Sequence, residues 1–195
     1  LNVTPDHVVR HGNLEVYQAM KEKIFAHQTK ENITVLNYDN EPTRGMAERV
    51  PGQVCYFSRL VELEEGAFVQ DGWLVMRWQG KLTRVMPAAD LKIKGAHNVE
   101  NALAAMAVAL LAGGEAEKLA KVMREFPGVE HRIEPVKEVN GVMYYNDSKA
   151  TNTDSSIKAL ESFDGHIILL AGGDDKMTDL TDFMTLVKER VDELI

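Results

Sequence analysis

The sequence predicts an α/β protein, and three observations point to this class. Short apolar runs typical of strands alternate with runs of helical period along the 195 residues. Two strand-like runs, 142–145 and 167–170, are each followed by a polar loop and then by a helical pattern. A hydrophobic content of 45% is enough to form a sizeable core.

The first part of the chain is predicted to contain two helices and then strands. Thr4-Pro5 suits the start of a short helix that ends at Gly12, and Asn13 can cap a second helix. The apolar face of the second helix consists of Val16, Tyr17, Met20, Ile24 and Phe25. Strands are predicted over 33–38 and 54–58, and short antiparallel strands over 67–86, with turns at Gly72 and Gly80.

The middle of the chain reads as two helices. The run 97–112 predicts a buried helix that ends at Gly113-Gly114. The run 116–126 predicts an amphipathic helix that ends at Pro127-Gly128, with apolar positions Leu119, Val122, Met123 and Phe126.

Two strand–loop–helix units follow, so we predict two domains, 1–129 and 130–195. Successive units of this kind favour neighbouring parallel strands, with both polar loops at one edge of the sheet.

Composition limits the function classes. Lys+Arg number 22 against 30 Asp+Glu, a net charge of −8, which argues against a nucleic-acid partner. The apolar run 102–112 is shorter than the roughly 20 residues that span a bilayer, so no membrane insertion is expected. The single Cys55 allows no internal disulfide and fits a reducing cytoplasm. Because both ends look cut, we expect a piece of a longer protein.

The loop 146–152 has the densest polar chemistry in the sequence. It carries Asp147, Lys149 and Thr151 at the carboxyl end of a predicted strand, where α/β folds bind ligands. Lys176, in the second loop, could join Lys149 in gripping a doubly anionic molecule. The alternative, two solvated loop lysines, has equal weight.

Further candidates lie before the predicted domain boundary and directly after it. Asn98 and Asn101 share a face in the first turn of the buried helix, which suits a nucleotide base or phosphate. Capping by Asn98 is the ordinary alternative, but Asn101 borders an apolar run and needs a partner. Arg132 could clamp a phosphate, although a lone arginine is more often an ion-pair partner.

Lys21 lies beside the apolar face of its helix. Partial burial would lower the pKa of its amine and allow a carbamate to form, whereas a lysine that reaches out to solvent is the commoner case. His7 and His11 have the i, i+4 spacing of metal ligands, a weak signal by itself.

Together, these segments resemble the Mur ligases, the amino-acid-adding enzymes of peptidoglycan synthesis. The matching segments, in the order of the family, are 2–7, 17–21, 95–101, 126–134, 146–152 and 172–176. The Gly-Ala-His-Asn and His-Arg segments are shared with folylpolyglutamate ligases. The sequence Asp-Ser-Lys-Ala-Thr-Asn at 147–152 resembles the ligases that add D-glutamate.

The resemblance implies part of a central ATPase domain followed by part of a Rossmann-like C-terminal domain. The implied reaction uses ATP and Mg²⁺ to add D-glutamate to UDP-N-acetylmuramoyl-L-alanine through an acyl phosphate, in a cytoplasmic monomer. Two alternatives are another ligase of the superfamily and a non-catalytic nucleotide-binding module.

The resemblance also implies residue roles. The implied catalytic residues are Lys21, His7 and Lys149, with His7 and carbamylated Lys21 as magnesium ligands. Asn98, Asn101, Arg132 and Asp147 correspond to ATP contacts, and Lys149, Thr151 and Lys176 to D-glutamate contacts. The family's phosphate loop and UDP-binding domain are missing, and Val9 replaces an aspartate common in relatives. We therefore expect the piece alone to be inactive.

Overall fold

The computed structural model describes residues 1–4, 13–173 and 178–195, in two compact units. Unit 1 consists of Leu1–Leu91 and Val99–Phe126, and unit 2 of Lys92–Asn98 and Pro127–Ile195. The segment Lys92–Asn98 therefore belongs to unit 2, although its chain neighbours on both sides belong to unit 1. No shift in composition marks this segment in the sequence.

A five-stranded sheet forms the centre of unit 1. Its strands, in sheet order and in chain order, are β1 (Ile33–Asn37), β2 (Gln53–Ser58), β3 (Gly66–Gln70), β4 (Trp73–Trp78) and β5 (Lys81–Pro87). The first three are parallel, and β3, β4 and β5 are antiparallel neighbours. The predicted strands are confirmed. Gly72 and Gly80 make the two turns at φ 76° and 75°.

Four α-helices lie wholly or mostly in the described part of unit 1, three at or near predicted positions and one in the connection between β1 and β2. They are α1 (Leu14–Glu22), α2 (Glu41–Gly45), α3 (Ala96–Leu111, whose first three residues belong to unit 2) and α4 (Ala116–Glu125). Asn13 caps α1 as predicted, because its side-chain oxygen accepts a 2.9 Å hydrogen bond from the Val16 amide. A 3₁₀ turn over Lys23–Phe25 follows α1.

The apolar face predicted for the second helix, which is α1 and the turn after it, is not buried at most of its positions. Val16 and Met20 are each 46% exposed and Ile24 is 84% exposed, whereas Phe25 is buried. Val122 of α4 is likewise exposed. Helical period shows which residues share a face, but burial depends on whether another element covers that face.

The core of unit 1 lies between α3 and the sheet. Leu103 and Met106 of α3 are fully buried in one cluster with Cys55, Phe57 and Leu74 from the strands. Each such side chain stabilises the fold by about 1.5–3 kcal/mol relative to its exposed state. Burial also raises the pKa of the Cys55 thiol to about 12, so this cysteine is a core residue and not a nucleophile.

The described residues of unit 2 form two pairs of strands and two α-helices. The strands β6 (Glu134–Val139) and β7 (Val142–Asn146) form an antiparallel hairpin, and α5 (Thr153–Glu161) follows. The strand β8 (Ile167–Leu169) pairs in parallel with β9 (Val191–Leu194), which directly follows α6 (Thr181–Arg190). The helices and the strands β7 and β8 were predicted, whereas β6 and β9 were not.

The predicted pairing of β7 with β8 is wrong in the described part of the chain, where β7 pairs with β6 and β8 with β9. The β6–β7 hairpin has a local cause. Asn140 and Gly141 have φ values of 51° and 82°, and the Asn-Gly dipeptide favours the tight turn that joins antiparallel strands. Among the described residues, no helix combines the length and apolar character needed to cross a membrane.

Candidate active site

The loop 146–152 is held in shape by its own backbone. The Ala150 amide donates to the Asp147 carbonyl and the Thr151 amide donates to the Lys149 carbonyl, each over 2.9 Å. Asn152 caps α5, since its side chain accepts from the Ser155 amide over 2.8 Å. The side chains of Lys149 and Thr151 lie on the exposed side of this turn. Lys149 and Thr151 are therefore exposed residues on a loop that its own backbone hydrogen bonds hold.

A turn formed by His131, Arg132 and Ile133 lies against this loop. The Lys149 amide donates to the His131 carbonyl over 3.0 Å, and the Ile133 amide donates to Asp147 Oδ1 over 3.1 Å. His131 and Ile133 adopt φ values of 65° and 44°, which is unusual for a β-branched residue. Such strained backbone occurs often at ligand sites, where surrounding contacts hold it. Here it exposes the Arg132 side chain.

Asp147 lies where three segments of unit 2 meet. Burial raises the pKa of its carboxyl above the ordinary value, and three interactions oppose this rise in pKa. They are the hydrogen bond from Ile133 and the positive charges of Arg132 and His97. The His-Arg turn, the Gly-Ala-His-Asn segment and the loop 146–152 therefore act on one carboxyl group.

The Gly-Ala-His-Asn segment is closely packed on unit 2. Gly95 has φ 94°, and a Cβ atom there would lie 2.2 Å from Ser162 Oγ and 2.7 Å from the ring of His97. Asn98 Nδ2 donates to the Lys94 carbonyl over 2.6 Å. Asn98 is thus the third residue of α3, with its side chain turned back to the preceding segment.

The comparisons with known proteins decide the family. Residues 1–109 match the Mur ligase middle domain, and residues 131–195 match the Mur ligase glutamate ligase domain. The chain belongs to the Mur ligase family. This membership confirms the predicted resemblance and the predicted fold class.

Curated relatives cover nearly all of this Mur ligase chain. It is 47% identical over 190 residues to a UDP-N-acetylmuramoylalanine–D-glutamate ligase of Koribacter versatilis, covering 97% of this chain and 42% of the relative. It is 46% identical over 195 residues to the protein of that name from Alkaliphilus metalliredigens, covering 100% of this chain and 43% of the relative. The chain thus spans about two fifths of the length of these relatives.

Solved structures show the same fold. MurF from Acinetobacter baumannii matches with a TM-score of 0.72 at 19% identity, over 96% of this chain and 42% of that one. The UDP-N-acetylmuramate–alanine ligase MurC from Thermotoga maritima matches with a TM-score of 0.67 at 21% identity, over 99% and 43%.

The structure brings five of the predicted Mur ligase site residues into unit 2: Asn98, Arg132, Asp147, Lys149 and Thr151. Asn101 and Lys21 belong to unit 1, while His7 and Lys176 lie outside the described residues. Asn101 is exposed at the start of the apolar run.

Lys21 is also exposed, which agrees with the commoner case of a lysine that reaches solvent. Its Nζ lies 5.0 Å from the centre of the Tyr17 ring. In the described ranges no group of three or more His, Cys, Asp and Glu side chains could hold a metal.

Sequence reasoning missed His97 and His131 as site residues. Asn146 Nδ2 lies 2.8 Å from His131 Nδ1, and Glu134 Oε2 accepts from the His131 amide over 2.8 Å. Both histidines stand beside a residue that was assigned a role, Asn98 or Arg132. Their place next to these residues in the Mur ligase motifs is the sequence signal that could have identified both histidines.

Replacing Asp147 with asparagine is expected to remove a pH dependence from the stability of unit 2. Because the folded pKa is raised, the carboxyl ionises first in the unfolded chain, and stability falls as pH rises from 3.8 to the folded pKa. Asparagine cannot ionise, yet its oxygen can still accept from the Ile133 amide. Hydrogen exchange of unit 2 amides at pH 3.5 and 7 measures the difference.

The matched control is Asp164→Asn, which changes an exposed aspartate of the same unit. It should keep the pH dependence of the parent chain. If Asp147→Asn also keeps that dependence, burial of the Asp147 carboxyl does not set it.

Proposed function

We propose that this chain supplies the amino-acid-binding part, and some of the ATP-binding part, of a ligase that adds D-glutamate to UDP-N-acetylmuramoyl-L-alanine. The observation that carries the proposal is the bonded network in unit 2 that joins the Arg132 turn, Asp147 and the Lys149 loop. The names of the relatives, whose sequences match almost the whole chain, supply the substrates.

The proposed reaction has two steps. A substrate carboxylate oxygen attacks the γ-phosphorus of ATP, ADP leaves, and an acyl phosphate forms. The amine of D-glutamate then attacks the acyl carbon, loses a proton, and the tetrahedral intermediate expels phosphate. Negative charge on the phosphoryl groups grows along both steps, so fixed cations stabilise the transition states.

Residue roles follow from charge and position. Arg132, on the exposed side of its strained turn, is suited to a phosphate, and Asn98 to the nucleotide base. Lys149 and Thr151 are proposed to hold D-glutamate together with Lys176, since two ammonium groups match two carboxylates. Asp147, which accepts a hydrogen bond from the Ile133 amide, is proposed to keep the Arg132 turn and the Lys149 loop in register.

Magnesium is proposed as the cofactor that offsets phosphate charge, with His7 and carbamylated Lys21 as ligands. Because Lys21 is exposed in this chain, formation of the carbamate would require a more buried position than the one seen here. Electron density longer than lysine at this position, in a crystal of the longer protein, would support the assignment.

The test uses the chain extended to the length of its relatives. ADP release is measured with ATP, magnesium, UDP-N-acetylmuramoyl-L-alanine and one amino acid at a time. We expect release with D-glutamate and little with L-lysine, glycine or L-glutamate. Release with L-lysine or glycine but not D-glutamate would overturn the specificity.

Two further arms of the same assay address the alternatives. Release with a folate acceptor in place of the UDP-sugar would assign the chain to another branch of the superfamily. Nucleotide binding without ADP release under every condition would favour a non-catalytic module.

A further inference from the structure

Lys94 is an exposed lysine whose ammonium group makes three contacts with two residues of unit 2. Its Nζ donates to the Tyr145 hydroxyl over 3.0 Å. The same atom lies 5.1 Å from the ring centres of both Tyr145 and Phe163, which pack edge to face at 4.8 Å. An exposed lysine is ordinarily solvated and samples many rotamers. The three contacts hold this one in place; we call Lys94, Tyr145 and Phe163 the Lys94 clamp.

The clamp connects two parts of the candidate site. On one side, the backbone carbonyl of Lys94 accepts from Asn98 Nδ2 over 2.6 Å, so the position of Lys94 sets the orientation of that amide. On the other side, Tyr145 lies in β7 directly before Asn146 and Asp147, where the loop begins. Asn98 is therefore linked to the loop by two hydrogen bonds and the side chains of Lys94 and Tyr145.

The neighbouring packing limits how the clamp can relax. A Cβ atom at Gly95 would lie 2.2 Å from Ser162 Oγ, so the backbone after Lys94 is already at its closest approach to the end of α5. Phe163 follows Ser162 directly and provides one ring of the clamp. A shift of Lys94 away from β7 therefore moves the backbone that carries Asn98.

We propose that Lys94 is a positioning residue that couples the nucleotide end of the site to the amino-acid end. The inference rests on the proposed function. When a nucleotide base engages Asn98, the clamp holds β7 and the loop 146–152 in the geometry that binds D-glutamate. By thermodynamic linkage, D-glutamate then tightens nucleotide binding by the same factor.

The kinetic test uses Lys94→Met in the chain extended to the length of its relatives. Methionine keeps an unbranched stem and removes the ammonium group. We expect the KM for D-glutamate to rise about fivefold to tenfold with kcat within about twofold, which corresponds to roughly 1–1.4 kcal/mol of coupling. The nucleotide Kd, measured with and without D-glutamate, should lose its dependence on D-glutamate.

Three matched variants separate positioning from folding. Lys92→Met changes an exposed lysine on the same segment and should behave as the parent. Lys94→Arg keeps a cation and donors over the rings and should restore most of the coupling. Tyr145→Phe keeps the ring and removes the hydroxyl, so an intermediate effect is expected. Coupling in Lys94→Met equal to that in Lys92→Met would overturn the proposal.

A measurement on the 195-residue chain distinguishes failure of this inference from failure of the proposed function. In NMR spectra, Lys94→Met should shift the Asn98 side-chain amide together with the backbone amides of Asp147 and Lys149, while Lys92→Met should not. If the chemical shifts of the loop amides do not change in Lys94→Met, the link between Lys94 and the loop is overturned, whatever the substrate is. If these shifts do change in Lys94→Met but the parent enzyme does not respond to D-glutamate, the link between Lys94 and the loop stands. In that case D-glutamate is not the amino acid that the site binds.

Discussion

Replacing Gly66 with alanine is expected to lower the free energy of unfolding of unit 1 by about 3–5 kcal/mol, the sum of backbone strain and overpacking. Gly66 begins β3 at φ 131°, a conformation that side chains rarely adopt. A Cβ atom there would lie 2.2 Å from the Tyr56 carbonyl oxygen in β2. Since that atom belongs to the paired backbone, it cannot move without disrupting the sheet.

The measurement is denaturant unfolding followed by tryptophan fluorescence. The sequence has two tryptophans, Trp73 and Trp78, and both lie in β4, so the signal reports unit 1 alone. Gly72→Ala is the matched control. Gly72 has φ 76° but nothing within 4 Å of an added Cβ, so only strain of about 1–2 kcal/mol is expected. Equal losses for the two variants would contradict the proposed clash.

Replacing Lys149 with alanine is expected to lower kcat/KM for D-glutamate roughly 10- to 150-fold in the chain extended to the length of its relatives. This range corresponds to about 1.5–3 kcal/mol for a hydrogen bond to a charged group. The backbone position should survive, because the Lys149 amide bonds to the His131 carbonyl and does not need the side chain. The KM for ATP should change little.

Steady-state kinetics with varied D-glutamate measure this effect. Lys158→Ala is the control, since Lys158 lies on α5 of the same unit and pairs with Glu161 over 3.0 Å. A surface pair of this kind contributes at most about 1 kcal/mol to stability, so kcat/KM should stay within about twofold. A Lys149→Ala variant no slower than Lys158→Ala would remove Lys149 from the proposed site.

Local patterns predicted most elements correctly. Asn13 was predicted to cap a helix and does so, and Asn152, for which no cap was predicted, caps α5 in the same way. The glycines at 72 and 80 mark turns because they tolerate positive φ. The same local logic would have found the β6–β7 hairpin, since Asn140-Gly141 is a strong turn signal.

Burial and pairing were predicted less well, for a physical reason. Val16, Met20 and Ile24 share an apolar face, yet they are exposed. Hydrophobic periodicity shows which residues share a face, but it does not show whether another element covers that face. The partner of a strand is likewise set by the whole sheet. The pairing of β8 with β9 joins residues such as Ile167 and Val191, which are far apart in the chain, and it could not be predicted from either run alone.

The sequence by itself determined the α/β class, most of the helices and strands, and the motifs that identify a Mur ligase. These features are local, since caps, turns and hydrophobic period act over a few residues. The tertiary structure alone decided that Asp147 joins three of the motifs and that Lys92–Asn98 belongs to unit 2. Both depend on contacts such as Lys94 with Tyr145, 51 positions apart, which form only when distant segments pack together.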